Sequence, residues 1–344
     1  MVGKSARGSG AGGGRRTTRS GKKTPEIESE LKKLLEMETG GDPMSEKKWF
    51  RRSLRRIGVE LEKVGQKISP PTVGRILKKL DYSPKANLKE KEGGQDHPET
   101  EAQFQYIGDQ YQKFQAEQWP IISVDTKKKE LIGDFKNQGR NWCQTPEVVN
   151  THDFPSDAQG RAVPYGIYDV TRNCGSVYVG LSADTPEFAV EAISRWWLAE
   201  GKAAYPTADQ LLILADSGGS NGCRPRCWKH QVQHQLSDRL GLSVTVCHFP
   251  TGCSKYNPIE HRLFSQISVT WAGTPLRTLD TILEFIRATT TTTGLTVTAF
   301  LLDTLYLTGK TVSDAEMKTL ALEPHQFCPQ WNYTIYPRLQ TVPA

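Results

Sequence analysis

Apolar positions recur on two different periods along this chain, and the switch from one to the other divides it. Before residue 120 they return every three to four residues. Ile27, Leu31, Leu34 and Leu35 share one face of a short helix over 26–37, which Gly40-Gly41-Asp42-Pro43 stops. From Ser45, Trp49, Leu54, Ile57, Leu61 and Val64 keep helical spacing as far as Gly65. Ser69 can cap a second helix, with Pro70 at its first position and Val73, Ile76, Leu77 and Leu80 on the buried side. After a polar stretch over 87–98, a helix over 99–118 presents Phe104, Ile107, Tyr111 and Phe114 as its stripe, and Trp119-Pro120 ends it.

Beyond Pro120 the apolar residues gather in short, β-branched runs. Residues 121–125 predict a strand that continues or turns into 131–135; 163–171 and 176–181 predict a hairpin across Arg172-Asn173-Cys174-Gly175. A helix over 185–200 buries Phe188, Ala192, Ile193, Trp196 and Trp197. Then come a strand over 211–215, a helix over 225–240 with Trp228, Val232, Leu236 and Leu240 in register, a strand over 243–248 and a helix from Pro258. Antiparallel strands followed by β-α-β-α-β imply an α/β chain, with a mixed sheet and flanking helices behind an all-α module.

Charge sharpens the division. The first hundred residues hold 23 Lys and Arg against 14 Asp and Glu, and the remainder 21 against 24, so the excess of +6 sits entirely in the helical part. On the second helix Thr72, Arg75, Lys78 and Lys79 occupy the face opposite the apolar stripe. Two helices joined by a short turn, the second with a basic outer face, predict a helix-turn-helix that sets its second helix in the major groove of double-stranded DNA. Arg75 is then the candidate for a base edge and Lys78 or Lys79 for phosphate. Residues 1–25, rich in Gly, Ser, Arg and Lys, are expected to be disordered. No apolar run approaches the ~18 residues of a membrane span. Seven scattered cysteines, an odd number, read as reduced thiols of a cytoplasmic protein rather than a disulfide framework.

Candidate chemistry rests on three acids at element ends. Asp125 closes the first strand of the sheet, Asp216 closes an apolar strand of the same kind, and Glu260 lies in the first turn of the helix opened by Asn257-Pro258. Each has a plain structural alternative: Asp125 could pair with Lys127, Asp216 could help turn the chain with Ser217-Gly218-Gly219, and Glu260 could complete a capping box with Asn257. Together they suit Mg2+ or Mn2+, whose paired ions serve phosphoryl transfer.

The runs Ser123-Val124-Asp125-Thr126-Lys127-Lys128-Lys129-Glu130, Leu212 to Gly222, and Cys247-His248-Phe249-Pro250 with Ser254 to Phe264 resemble the acidic blocks of an insertion-sequence transposase family of the DDE type (ISAzo-type). Thr171-Arg172-Asn173, Glu187-Phe188-Ala189-Val190, Trp331-Asn332-Tyr333-Thr334-Ile335 and Pro71-Thr72-Val73-Gly74-Arg75-Ile76-Leu77 are similar to the same family. The chain departs from it at Thr251-Gly252-Cys253 and Tyr256, where Pro-Gly-Thr and Trp are commoner.

The resemblance implies a ribonuclease-H-like catalytic domain in which the first strand lies beside the fourth, with Asp125, Asp216 and Glu260 as catalytic triad and ligands of two ions. Its substrates would be terminal inverted repeats and target DNA, joined in a synaptic homo-oligomer in the cytoplasm at the nucleoid, with no membrane partner. Lys127, Lys128, Lys129, Arg224, Arg226, Lys255 and Arg262, near the acids in sequence, are candidates to hold the DNA backbone. The expected divisions are a basic flexible segment (1–40), the helix-turn-helix and linker (41–95), a connecting helix (96–120) and the catalytic domain (121–344). Two other readings stay open: an inactive, transposase-derived DNA-binding protein, and a nuclease of the same fold.

Cys223, Cys227, His230 and His234 have zinc-like spacing, but on one straight helix they would spread over ~16 Å, too far for one tetrahedral ion. His248 and His261 flank the third acid, and a structural role is expected for both. The threonine run 289–293 suggests no mechanism.

Overall fold

The computed structural model describes residues 24–38, 40–41, 48–49, 53–82 and 99–338. The expectations for residues 1–23 and for the linker over 87–98 fall outside these residues. By contacts the chain forms two units, Met1–Glu90 and Lys91–Ala344.

In the first unit, α1 (Thr24–Glu38), α2 (Leu54–Lys63) and α3 (Pro70–Lys79) enclose a small core of Ile27, Leu31, Ile57, Leu61, Val73, Ile76 and Leu77. The second helix starts later than its apolar spacing suggests. Ser53 is the residue that caps α2, its side chain accepting from the Arg56 amide at 3.3 Å, and Lys48–Trp49 pair instead with Gly40–Gly41 as a two-residue ladder. Leu54 and Val64, expected on the buried stripe, are exposed because they lie at the two ends of this shortened helix. Gly65 takes φ +83°, the left-handed turn that lets the chain leave α2. Ser69 caps α3 by position, and its hydroxyl bonds Thr72 Oγ1 rather than a backbone amide.

The second unit is built on one mixed sheet. Its strands are β1 (Ile121–Thr126), β2 (Glu130–Ile132), β3 (Gly160–Asp169), β4 (Cys174–Gly180), β5 (Gln210–Asp216), β6 (Ser243–Phe249), β7 (Thr296–Leu302), β8 (Leu322–Pro324) and β9 (Asn332–Ile335). They lie in the order β8-β9-β6-β5-β1-β3-β4-β7, and β2 pairs with β3. The central run β4-β3-β1-β5-β6, antiparallel through β3 and parallel from β1 to β6, is the ribonuclease-H-like arrangement. The strand over 131–135 is shorter than expected, because Gly133 turns the chain out of the sheet at φ +146°.

One face of the sheet is covered by α5 (Pro186–Trp196) and α6 (Arg226–Gln231), each continued by a π-helical stretch, Trp197–Gly201 and Val232–Asp238. The other carries the helix that runs from Pro258 through a π turn, Glu260–Phe264, into α7 (Ser265–Thr270), and then α8 (Leu279–Arg287). Near one end α4 (Thr100–Ala116) packs Ile107 and Phe114 against Ile121, Leu212, Leu214 and Phe249. The helix read as a connector is therefore part of the sheet's own packing. A short α9 (Asp314–Lys318) carries a capping box between Ser313 and Glu316.

Candidate active site

Strand pairing brings the two aspartates together. In the parallel ladder Val124 faces Ala215, so Asp125 and Asp216 follow side by side at the ends of β1 and β5. Parallel strands lie ~4.8 Å apart, which fixes the spacing of the two backbones. Glu260 comes from the π turn, near enough to Asp125 and to Asp216 for its charge to push both carboxyls up. A π turn holds one more residue than an α turn and re-aims the side chains on it.

Asn257 sets how that helix enters. Its Nδ2 donates to Asp216 Oδ1 at 3.0 Å and to the Val124 carbonyl at 3.3 Å, while its Oδ1 accepts from the Ser123 hydroxyl. The same hydroxyl accepts from the Ile259 amide at 3.0 Å. The capping-box alternative for Glu260 does not hold: the Asn257 side chain is spent on the two acid-bearing strands. Asp125 is not paired with Lys127 either, since its Oδ1 accepts from the Thr126 amide at 2.8 Å and Lys127 pairs with Glu130 at 3.3 Å.

Two glycines allow the close approach. A Cβ on Gly166, the residue opposite Asp125 on β3, would lie 2.5 Å from Phe264 and 2.8 Å from Ile259; one on Gly175 would lie 2.5 Å from Leu263. Both contacts are made by the helix that bears Glu260.

The electrostatics are those of crowded negative charge. Burial, then the neighbouring Asp216 charge, pushes the Asp125 carboxyl up to about 8. Burial raises Asp216 to about 6, partly offset by the Asn257 hydrogen bond and assisted by Glu260. Among the described residues no Lys or Arg forms an ion pair with any of the three. Nor do three His, Cys, Asp or Glu side chains close on one point as ligands of a single ion. The Glu260 charge acts on both aspartates, and that of Asp216 on Asp125.

Behind the acids, buried His248 bonds the Asp216 carbonyl through Nδ1 at 2.9 Å and Tyr333 Oη through Nε2 at 3.2 Å, and burial lowers its pKa to about 4. Tyr333 also accepts from Trp228 Nε1 at 2.9 Å. His248 thus supports the end of β5, and His261 bonds the Lys255 carbonyl.

A cleft of about 620 Å3 opens on Asp125 and Asp216, lined further by Ser217–Gly219, Arg224, Pro250–Gly252 and Ser254. A second, of about 500 Å3, lies across Asp125, between Thr126–Lys129, Arg161 and Asp184. Of the basic candidates, Arg224, Lys128, Lys255 and Arg262 are exposed. Lys129 is half-exposed, 3.5 Å from Asp184. Arg226 pairs with Asp314 at 2.6 Å. Lys127 is buried: its side chain is 8% exposed, with Nζ 4.5 Å from the centre of the Trp271 ring. In the first unit Arg75 and Lys78 are exposed and Thr72 partly so, whereas Lys79 pairs with Glu28 at 2.6 Å.

Sequence reasoning missed Ser123 and the tethering role of Asn257, as well as Asp184, which accepts from Thr126 Oγ1 at 3.0 Å beside the first acid. Ser123 had one signal: it stands two residues before Asp125, on the same face of the strand. The zinc-like set is divided, with Cys223 in the loop before α6 and the His230 and His234 rings 4.3 Å apart on the helix. No disulfide joins any of the seven cysteines, and no helix among the described residues is long and apolar enough to cross a membrane.

A family model described as "Rhodopirellula transposase DDE domain" matches residues 30–337. No curated protein matches the chain. Among solved structures, the Mos1 transposase paired-end complex with left transposon end is 11% identical, with a TM-score of 0.42, covering 81% of this chain and 73% of that one. A Mos1 mariner paired end complex with Mn gives 11% and 0.41 over the same shares. The corresponding complex with Mg gives 10% and 0.38, again over 81% and 73%.

Proposed function

Because this chain belongs to the transposase family described by the Rhodopirellula transposase DDE domain, we propose that it cleaves DNA at the ends of an insertion sequence and joins the freed ends to a target. The observation that supports this reading is the pairing of the two strands that end in Asp125 and Asp216 at one cleft, with Glu260 on a helix tied to both strands through Asn257 and acting on the charge of each aspartate.

The donor set suits hard divalent cations. All three groups offer oxygen only, and Asp125 and Asp216 are driven toward protonation by burial and by neighbouring carboxylates, a penalty that bound positive charge relieves. Asp125, Asp216 and Glu260 are the residues that would hold such ions. Bound Mg2+ or Mn2+ would supply Lewis acidity at the attacking and leaving oxygens of an in-line displacement.

The protein's own part is positioning. Asn257 keeps Asp216 Oδ1 oriented and holds the Glu260 helix to β1, so the acids need little reorganisation when the substrate arrives. Arg224 on one side of Asp125 and Lys128 on the other flank the path of a phosphodiester strand, with Lys255 and Arg262 further along the Glu260 segment. In the first unit, α2 and α3 act as a helix-turn-helix, with Arg75 and Thr72 toward base edges and Lys78 toward phosphate. Paired ends would be held by a homo-oligomer, acting at the nucleoid in the cytoplasm.

The test is incubation of the purified chain with DNA bearing the inverted repeats that bracket its reading frame, a supercoiled target and Mg2+. Joined product is expected. Cutting without joining would point to a nuclease of the same fold, and binding without either to a non-catalytic DNA-binding protein. Asp216→Asn is expected to abolish both steps while DNA affinity stays within about twofold.

A further inference from the structure

Residues 123, 125 and 127 lie on one side of the first sheet strand, because successive side chains alternate across a strand. The ladder runs on past Thr126, since the Lys127 amide still donates to the Pro164 carbonyl at 2.9 Å. All three side chains meet the segment that bears Glu260. Ser123 takes its beginning, through Ile259 and Asn257. Asp125 lies near enough to Glu260 for the two charges to act on each other. Lys127 takes its far end: the ammonium stands 4.5 Å from the centre of the Trp271 ring, and Trp271 caps α7.

The dimensions agree. From Ile259 to Trp271 is twelve helical steps, ~18 Å, and from Ser123 to Lys127 four strand steps, ~13 Å, the difference being within reach of an extended lysine side chain. Both members of the far contact are buried. Lys127 is 8% exposed at its side chain, Trp271 is 2% exposed, and Glu130 balances the charge at 3.3 Å. A desolvated cation on an indole face is worth more than an exposed one.

We propose that Lys127 is a positioning residue: by clasping Trp271 it fixes the far end of the Glu260 helix to the strand of Asp125, and so sets where the third acid stands relative to the first two. This rests on the reading of the three acids as the reacting site. It separates Lys127, whose side chain is buried, from Lys128 and Lys129, which share its charge but are exposed.

The clasp itself is tested by thermal unfolding of Lys127→Met, Trp271→Leu and the double variant, a measurement that needs no activity. The double variant is expected to lose no more melting temperature than the worse single one. Additive losses would overturn the clasp whether or not the chain is a transposase.

Its role is tested by single-turnover cleavage on preformed protein–DNA complexes. Lys127→Met is expected to cleave at least tenfold more slowly, to keep its Kd for end DNA within twofold and to keep the wild-type dependence of Kd on salt. Lys127→Arg is expected to recover to within threefold of wild type. Weakened binding with a shallower salt dependence would make Lys127 a phosphate contact, and unchanged cleavage would remove it from the site; either result overturns the proposal. Should Lys127→Met fail to fold, Trp271→Phe carries the same measurements, with a cleavage loss of several-fold expected and unchanged cleavage again overturning the proposal. Should wild type bind but not cleave, the function proposed above falls, and the unfolding cycle alone decides the clasp.

Discussion

The Asn257 amide reaches Asp216 Oδ1 at 3.0 Å and the Val124 carbonyl at 3.3 Å, so one side chain spans the ends of both strands that carry aspartates. Asn257 is fully buried, and each of its polar atoms has a partner there. Asn257→Ala leaves the Ser123 hydroxyl and the Val124 carbonyl without it. A stability loss of ~1–3 kcal/mol is expected by urea unfolding. Cleavage should fall at least tenfold with Kd for DNA near wild type; a variant that cleaves normally would deny Asn257 any part in orienting the acids.

Gly166 faces Asp125 across the β1–β3 ladder and leaves room for Phe264 and Ile259. A methyl group there must displace the Glu260 segment, since the clashes are with packed rings and branches in the core. Gly166→Ala is expected to lower stability by ~1–3 kcal/mol. Cleavage should fall further than Tm alone explains, and a variant with intact Tm and rate would show that the segment can shift freely.

Without metal, the acid cluster makes stability fall with rising pH. Asp125 has a folded pKa of about 8, against ~3.9 for an unfolded aspartate, so the folded chain binds more protons between these values. Its stabilising protonation is complete below the lower value and is lost as pH rises through about 8. Asp216, at about 6, acts with the same sign in the lower part of that window. His248 has the opposite sign: held near 4 against ~6.5 unfolded, it loses stability as pH falls through that range. In EDTA the melting temperature is therefore expected to drop between about pH 6 and pH 8.5. Asp125→Asn should flatten the drop, and Mg2+ should raise Tm more at the higher pH. A Tm that is level through the window, with and without Mg2+, would contradict the crowding of the carboxylates.

On α3 the exposed basic residues differ in what they are free to do. Arg75→Ala is expected to cost ~1–3 kcal/mol of binding to end DNA and to relax preference at one base pair, while Lys78→Ala should weaken all sequences alike and reduce the salt slope by ~1. Lys79 pairs with Glu28 of α1, so Lys79→Ala should act on the stability of the small core before it acts on DNA. Binding titrations at several salt concentrations separate the three.

The strands that bear acids were legible because they are apolar, β-branched and fully covered, as β1 and β5 are. The edges were not. In β7, Thr296–Leu302, exposed and buried positions alternate only as far as Phe300, and two of the exposed ones, Phe300 and Leu301, are apolar, which blurs the period; β8 and β9 are only three and four residues long. At the site, local signals misled wherever a distant partner decides. Asn257 followed by Pro258 and Glu260 has the form of a helix cap, yet β1 and β5, more than 40 residues earlier in the chain, take the side chain. Lys127, Lys128 and Lys129 form one run in sequence, and only Trp271, far along the chain, sets the first apart from the others.

Asp125 and Asp216 project from adjacent, hydrogen-bonded strands at the centre of the sheet, where neither backbone can shift without breaking the ladder. That half of the cluster behaves as an anvil. Whatever adjustment the cluster makes on taking up a ligand must come from the jaw opposite, the segment carrying Glu260, whose travel is limited by how far its fastenings to the sheet can slacken.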